Sequence, residues 1–308
     1  MPTNASPFTL WLTEYNTPYD ACCHGIIDVL CHKTTTFQEL MIVTSGAYGK
    51  ALILDGYWQS SVADEFLYHE PLVHPACVFH GGPNRVLILG GGEGAALREV
   101  LKWQCVVEAV MVDLDSQVVE ACREHLPEMH QGAFDDPRTQ VVIADAFDYI
   151  ECRPHYWDVI VSDLTDPVEA GPSAKLFTKE YFNKCRDALT PNGCFVLQAG
   201  LAGPVEMRIH TRLAKTVSDV FPHMYHYISH VPSWASPMGF VLGTNEPVDM
   251  NQFSPENTDQ LLAQKTKGSM VMFDGCTLCG LMNPPKYLRD AINDTTGLFT
   301  LANPPKTI

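Results

Sequence analysis

The sequence predicts an α/β protein: a doubly wound, mostly parallel sheet preceded by a small antiparallel β-domain. Three observations carry that prediction. From residue 85 onward, short apolar runs alternate with segments of helical spacing, the pattern of strands joined by crossover helices. The first of those runs, Val86-Leu87-Ile88-Leu89, is continuously apolar, as a parallel strand covered on both faces must be. The preceding stretch has instead β-branched and apolar runs broken by turn residues. A chain of 308 residues has room for two domains. They are expected at 1–63, β-rich, and 64–308, the main domain.

In the first domain, strands are expected at 8–12, 26–32, 37–44 and 50–54. Ser45-Gly46-Ala47-Tyr48-Gly49 and Asp55-Gly56 serve as turns. A helix is expected over 66–79, although Pro71 and Pro75 fall inside it. After the strand at 85–89, the glycine run Gly90–Gly94 leads into a helix over 95–103 with Leu97, Val100 and Leu101 on one face. A strand over 107–112 ends at Asp113-Leu114-Asp115, and a helix follows over 117–126. The third strand, 140–143, ends at Asp145-Ala146, and the fourth, 156–161, runs into Ser162-Asp163-Leu164-Thr165-Asp166. Helix 179–189, a turn at Pro191-Asn192-Gly193, strand 194–197, helix 206–221 and a strand pair at 224–230 and 239–243 complete the pattern. Beyond residue 246 it fades. Cys276-Thr277-Leu278-Cys279 has no second pair to complete a zinc site, so two buried thiols in a loop are expected there.

The formal charge of −16 excludes a general nucleic-acid binder, which would carry a basic footprint. It suits a cationic small substrate. Eleven cysteines without framework spacing, and an N-terminus without a basic region and apolar run, point to a reduced, cytoplasmic protein. No stretch is apolar for long enough to span a bilayer, so no membrane partner is expected.

The motifs sit at strand ends. Gly90 and Gly92 let the backbone turn tightly and approach a ligand, but Leu97 stands where a third dinucleotide-type glycine would fall. This places the loop nearer to AdoMet-type Rossmann-like folds. Asp113 lies where an acid meets ribose hydroxyls, with Asp115 as the alternative partner or a helix cap. Asp145-Ala146 is placed to meet an adenine amino group. Three such strand ends in succession specify adenosine better than any one of them. Glu93, inside the glycine loop, would repel a carboxylate tail and attract an ammonium; its bland alternative is an exposed acid at a helix N-terminus. The acids of the loop after the fourth strand, Asp163, Asp166 and Glu169, would grip and deprotonate a cationic amine. Pro167 and Gly171-Pro172 keep that loop from becoming helical.

These residues resemble the aminopropyltransferases, the spermidine/spermine synthase family. The resemblance runs from about residue 36 to residue 248 and rests on Gly-Gly-Gly-Glu-Gly, Asp113-Leu114-Asp115, Asp145-Ala146 and the Asp163 to Pro167 stretch. It implies a Rossmann-like, AdoMet-methyltransferase-like main domain and a homodimer or homotetramer. The implied reaction moves the aminopropyl group of decarboxylated S-adenosylmethionine, a co-substrate, to a polyamine, with no cofactor and no metal. Within the family, Ala63 to Glu70, Gly200-Leu201-Ala202-Gly203 and a loop lengthened by two residues before Gly171-Pro172 are similar to thermospermine synthases. Spermidine would then be the acceptor; spermine or spermidine synthesis is the alternative. The resemblance further implies that Gln38, Asp113, Asp145, Ala146 and Pro172 hold the nucleoside. Tyr68, His69, Glu93 and Asp166 would line the amine and aminopropyl site, with Glu169 at a further ammonium and Asp163 as the catalytic carboxylate. Trp234 stands where the family often has Tyr or Phe, and Ser236 where the thermospermine group often has an acid. Two other classes share some of this pattern: an AdoMet-dependent methyltransferase and a non-catalytic polyamine-binding module.

Overall fold

A computed structural model describes residues 10–166 and 173–305. Five antiparallel strands open the chain: β1 (Leu10–Thr17), β2 (Asp20–Thr34), β3 (Glu39–Ser45), β4 (Gly49–Leu54) and β5 (Tyr57–Ser61), paired in chain order. Every predicted strand within the described residues is present. β5 and the long reach of β2 were not predicted, because β5 is only Tyr-Trp-Gln-Ser-Ser.

Helix α1 (Phe66–His80) crosses from this sheet to the next. It contains Pro71 and Pro75, and its interior tolerates Pro75 for a specific reason. Pro75 has no N–H to give the carbonyl of Pro71. That orphaned carbonyl instead accepts the buried Tyr227 hydroxyl at 2.9 Å. The helix then ends at Gly81, in the left-handed conformation that a C-terminal cap requires.

The second sheet has seven strands: β6 (Arg85–Gly90), β7 (Glu108–Asp113), β8 (Thr139–Ile143), β9 (Trp157–Asp163), β10 (Leu189–Leu201), β11 (His223–Val231) and β12 (Ser236–Thr244). Their spatial order is β11-β12-β10-β9-β6-β7-β8, parallel from β10 through β8, with β12 and β11 antiparallel at one edge. Alternate residues of each central strand enter different cores. Val86 and Ile88 pack on one face with α1 and with α2 (Ala95–Leu101), while Leu87 and Leu89 pack on the other against helices Lys179–Ala188 and Arg208–Val220. Double burial explains the unbroken apolar run in the sequence.

Two sequence expectations are corrected here. Pro191-Asn192-Gly193 does not separate two elements; it is an irregularity inside β10, where the register against β9 shifts between Leu189 and Cys194. The Cys276/Cys279 stretch is a helix, Gly275–Leu281, capped by Asp274, and Cys276 is exposed. The faded C-terminal region in fact holds three helices, the others being Pro255–Lys265 and Lys286–Asp294. It is fastened by Glu70 of α1, a buried carboxylate that accepts the backbone N–H groups of Val271, Met272 and Phe273 at 2.7–2.8 Å. Among the described residues, no helix is long and apolar enough to cross a membrane.

Replacing Tyr227 with Phe removes the side-chain hydrogen bond to the Pro71 carbonyl. The substitution should cost about 1–3 kcal/mol, the penalty of a buried acceptor left unmade. Urea unfolding of the two proteins measures it, and turnover should persist in the variant.

Candidate active site

The chain runs β6, β7, β8 in one direction across the sheet, then returns to the other side of β6 with β9. The strand order reverses between β6 and β9, and a crevice at such a point is where open α/β sheets bind ligands. Gly90 and Asp163 are the last paired residues of these two strands, and the N–H of Gly91 donates to the Asp163 carbonyl at 2.9 Å. Position 90 has to be glycine: its φ is 83°, and a Cβ there would lie 2.1 Å from that carbonyl oxygen.

Asp163 is buried at the end of β9. Its Oδ1 accepts the Tyr68 hydroxyl of α1 at 2.6 Å, and its Oδ2 is buried with no hydrogen-bond partner among the described residues. Burial first, and then the charge of Glu93, push its carboxyl up to about 6 against the opposing effects of His69 and Tyr68. The result is a carboxylate with one oxygen held and one open, titrating close to neutrality.

Glu93 is buried, which overturns the bland reading of an exposed acid at a helix start. Its Oε1 faces Nε2 of His69 at 3.1 Å, and His69 Nδ1 faces Oε2 of Glu65 at 2.8 Å. Burial opposes ionisation of Glu93, but the bond and charge of His69 outweigh it and hold the carboxyl below its ordinary value. One ligand atom each of His69, Glu93 and Asp163 lies within 4.8 Å of the others. With both ring nitrogens turned to carboxylates, His69 in this arrangement has no lone pair for a metal, whereas the paired acids suit an ammonium.

The nucleoside-side candidates lie one strand further. Asp113, at the end of β7, is half-buried; burial and the charge of Asp115 push it up to about 6, while backbone N–H bonds pull the other way. Gly92 serves this acid and not the turn. Gly90, Gly91 and Gly94 have positive φ, whereas Gly92 does not, so the tight bend expected of it falls to its neighbours. What position 92 requires is room, since a Cβ there would sit 2.8 Å from Asp113 Oδ2. The structure separates Asp113 from Asp115. Asp115 caps the helix α3 (Ser116–His125) through the N–H of Gln117, and its other oxygen receives Thr35 Oγ1 at 2.6 Å and Gln38 Nε2 at 3.2 Å. Asp115 thus ties the first domain to the second, and Asp113 is the acid left beside the loop. Asp145 caps the short helix Ala146–Tyr149 and also pairs with Lys175 Nζ at 2.6 Å. Ala146 is buried behind it.

On the other side, Asp166 is exposed and accepts Gln198 Nε2 at 3.0 Å. Trp234 meets Tyr68 edge to face at 5.2 Å and donates its Nε1–H to the Trp58 carbonyl at 2.9 Å. Glu169 and Pro172 lie outside the described residues.

Sequence reasoning missed Glu14, Glu65, Arg98 and Gln198. Glu14 reaches in from β1, accepts the Trp58 N–H at 3.0 Å and is pushed up to about 7, by burial above all and also by the charge of Asp166. An isolated acid in a strand of the other domain gives no local signal. Glu65 had one, since it stands four residues before His69 on the same helical approach.

A Rossmann-like sheet with a glycine loop and a buried carboxylate at its switch point defines the class, that of AdoMet-type Rossmann-like folds. Two family models match the chain: a spermine/spermidine synthase domain over residues 65–252 and a spermidine synthase tetramerisation domain over 10–61. The chain belongs to the spermine/spermidine synthase family. It is 52% identical over 303 residues to a polyamine aminopropyltransferase of Synechococcus sp. (strain JA-3-3Ab), covering 96% of this chain and 97% of that one. It is 43% identical to a polyamine aminopropyltransferase of Aeropyrum pernix, covering 95% and 94%. Among solved structures it is similar to a spermidine synthase in complex with the transition-state analogue AdoDATO, with TM-score 0.86, 29% identity, and 93% and 96% coverage. The spermidine synthase of Thermotoga maritima is also similar, with TM-score 0.84, 28% identity, and 93% and 95% coverage.

The raised carboxyl of Asp163 has a cost to stability that its removal should expose. Its folded value, about 6, lies above the roughly 3.9 of an unfolded aspartate. The wild type therefore loses stability relative to Asp163→Asn as pH rises from about 4 to 6, and the loss persists above. At pH 8 the variant should be the more stable by about 1–3 kcal/mol, with the gap closing below about pH 4. Thermal unfolding at both pH values checks it; a variant less stable at pH 8 would contradict the assigned environment.

Proposed function

We propose that this chain is a polyamine aminopropyltransferase that moves the aminopropyl group of decarboxylated S-adenosylmethionine to spermidine, giving thermospermine and methylthioadenosine. The observation that carries the reading is Asp163, with Oδ1 held by Tyr68 and Oδ2 buried and open beside the glycine loop. The relatives named polyamine aminopropyltransferase support the reaction class, and the similarity to a synthase holding AdoDATO supports the co-substrate.

In this mechanism a neutral amine attacks the propyl carbon next to the sulfonium. The C–N bond forms as the C–S bond breaks, and the electron pair of the broken bond leaves on sulfur, now a neutral thioether. The proton that the nitrogen must lose goes to Asp163 Oδ2. A carboxylate titrating near 6 can take a proton at neutral pH and still be ionised before the step. A sulfonium leaves readily, so the task left to the protein is alignment and proton removal. Asp113 holds the ribose hydroxyls, with Gly90 and Gly92 keeping the loop backbone close beside them. Asp145 and Ala146 meet the adenine, and Gln38 and Pro172 complete that side. Glu93 and His69 face the aminopropyl end. Asp166 and Glu169 hold the remaining ammoniums of the acceptor, with Trp234 offering its ring to one of them.

The thermospermine assignment rests on the lengthened loop in the sequence and on one feature at position 236. The acid that a thermospermine-type sequence often has at position 236 is replaced by serine, but Ser236 Oγ donates to Glu206 Oε2 at 2.5 Å. A carboxylate is thus present at that position from a different residue. The N-terminal sheet, matched by the tetramerisation model, leaves Trp11, Tyr15 and Ile27 exposed, which supports a homo-oligomer.

Asp163→Asn should lower kcat by about 10²- to 10⁴-fold, the usual worth of a positioned base, and leave methylthioadenosine binding intact. Turnover within a few-fold of wild type would remove the base role. Chromatography of the product made from spermidine separates thermospermine from its isomer spermine; spermine alone would overturn the acceptor assignment. Glu169→Gln should raise KM for triamines more than for putrescine, and equal effects on both would take Glu169 out of the acceptor site.

A further inference from the structure

His69 has no solvent exposure, yet both of its ring nitrogens face carboxylate oxygens. An ionised carboxylate only accepts hydrogen bonds, so both nitrogens must donate and the ring is an imidazolium. Glu65, which holds Nδ1, is itself held: Arg98 Nη2 reaches its two oxygens at 2.9 Å each. Arg98 has little freedom to leave. Its Nε donates to Glu99 at 2.9 Å and its Nη1 to the Met129 carbonyl at 2.7 Å. Glu99 is closed off by Lys102 at 2.8 Å and His74 at 2.9 Å. Charge therefore alternates outward from the site, through Glu93, His69, Glu65, Arg98 and Glu99, within a nearly dry region of the molecule.

We propose that Glu65, locked by Arg98, is a positioning residue that fixes the His69 ring as a buried cation against Glu93, so that Glu93 and Asp163 can both be ionised when the acceptor arrives. This rests on the reading of Asp163 as the base. Two buried carboxylates a few ångströms apart do not both ionise unless a cation offsets them. The imidazolium also decides how they differ. It bonds Glu93 directly, leaving Asp163 with only the Tyr68 hydroxyl among the described residues, and this drives apart the two roles of anion and base. The electrostatics agree. Burial works against the His69 charge, but the bonds and charges of Glu65 and Glu93 override it and raise the ring to about 10. The groups acting on His69 are Glu65 from the start of α1 and Glu93 from the glycine loop; those acting on Asp163 are Glu93, His69, Tyr68 and Asp113.

The test uses full-length protein labelled with ¹⁵N-histidine, with His69 assigned by its loss in His69→Gln. In the wild type, the His69 nitrogens should both stay protonated up to about pH 9, far above the ordinary histidine range. In Glu65→Gln the ring should titrate to neutral below that pH. The acid limb of kcat/KM for the polyamine should then move up by about one pH unit, because losing the cation raises the combined cost of ionising Glu93 and Asp163, whichever takes the proton. Glu65→Asp should restore most of both signals, and methylthioadenosine should bind all of these proteins alike. A wild-type His69 that titrates in the ordinary range overturns the proposal. So does a Glu65→Gln protein in which His69 stays protonated or the acid limb stays put. If Glu65→Gln does not fold, Arg98→Lys, which loses the two-oxygen grip on Glu65, decides: a His69 signal and an acid limb both unchanged from wild type count against the proposal. The NMR readout does not depend on Asp163 being the base, so failure of that role, seen in Asp163→Asn, is distinct.

Discussion

Where β6 and β9 end side by side, the backbone at Gly90 passes so close to the Asp163 carbonyl that no side chain fits between them. That contact sets the rest of the site. It fixes the glycine loop against the end of β9, and the loop carries Glu93 toward α1 and Gly92 against Asp113. The Asp163 side chain is then directed to Tyr68, with one oxygen left over. A bulkier residue at position 90 would have to push β6 away from β9, both central and buried on both faces, so its cost would fall on the site and the sheet together.

The second constraint is a charge balance among acids that range from the buried Asp163 and Glu93 to the half-buried Asp113 and the exposed Asp166. Asp163, Glu93, Asp113 and Asp166 converge on one region, and inside it the only cation bonded to any of them among the described residues is His69. An acid-rich cleft of this kind attracts a polycation and weakens itself as a fold, because each unpaired buried carboxylate is strained toward its neutral form. Asp163 and Asp113, both pushed to about 6, show that strain. Glu93 escapes it through His69. An incoming ammonium would relieve the remainder, which makes acceptor binding and ionisation of the site mutually reinforcing.

Much of this was legible in the sequence because it is local. Continuous apolar runs marked the doubly covered strands, and each candidate acid follows its strand directly, so the strand ends located Asp113, Asp145 and Asp163 together. What stayed hidden depends on partners distant in the chain. Pro71 and Pro75 fall inside the predicted helix, and only the fold shows Tyr227, 156 residues away, taking the carbonyl that Pro75 frees. The sequence marked Glu93 as an acid for an ammonium, but its buried partner His69 could not be read there. Gly92 looked like a turn residue, and only the fold shows that it makes way for Asp113. The C-terminal helices have too few apolar positions to register, and their attachment through Glu70 is a set of bonds to backbone N–H groups, which no residue pattern records. The exposed position of Cys276, on a helix, reversed the expectation of two buried thiols in a loop.

The pairing of Asp145 with Lys175 bears on how the nucleoside side can work. At first sight it competes with any role for Asp145 toward an adenine amino group, since Nζ lies 2.6 Å from Oδ2. Exposure decides the matter. Both side chains are about one-third exposed, and such ion pairs are worth about 0–1 kcal/mol. The other oxygen stays bound to the Phe147 N–H, so the carboxylate keeps its orientation when the lysine leaves. Lys175 has an alternative resting place over the ring of Phe147, whose centroid is already 5.0 Å from its Nζ. An adenine that takes the freed oxygen exchanges a weak, solvated contact for a hydrogen bond sheltered by the base itself. If adenine docks as proposed, the ion pair is a replaceable cover on a preoriented acceptor, in contrast to the buried pairing of Glu93 with His69.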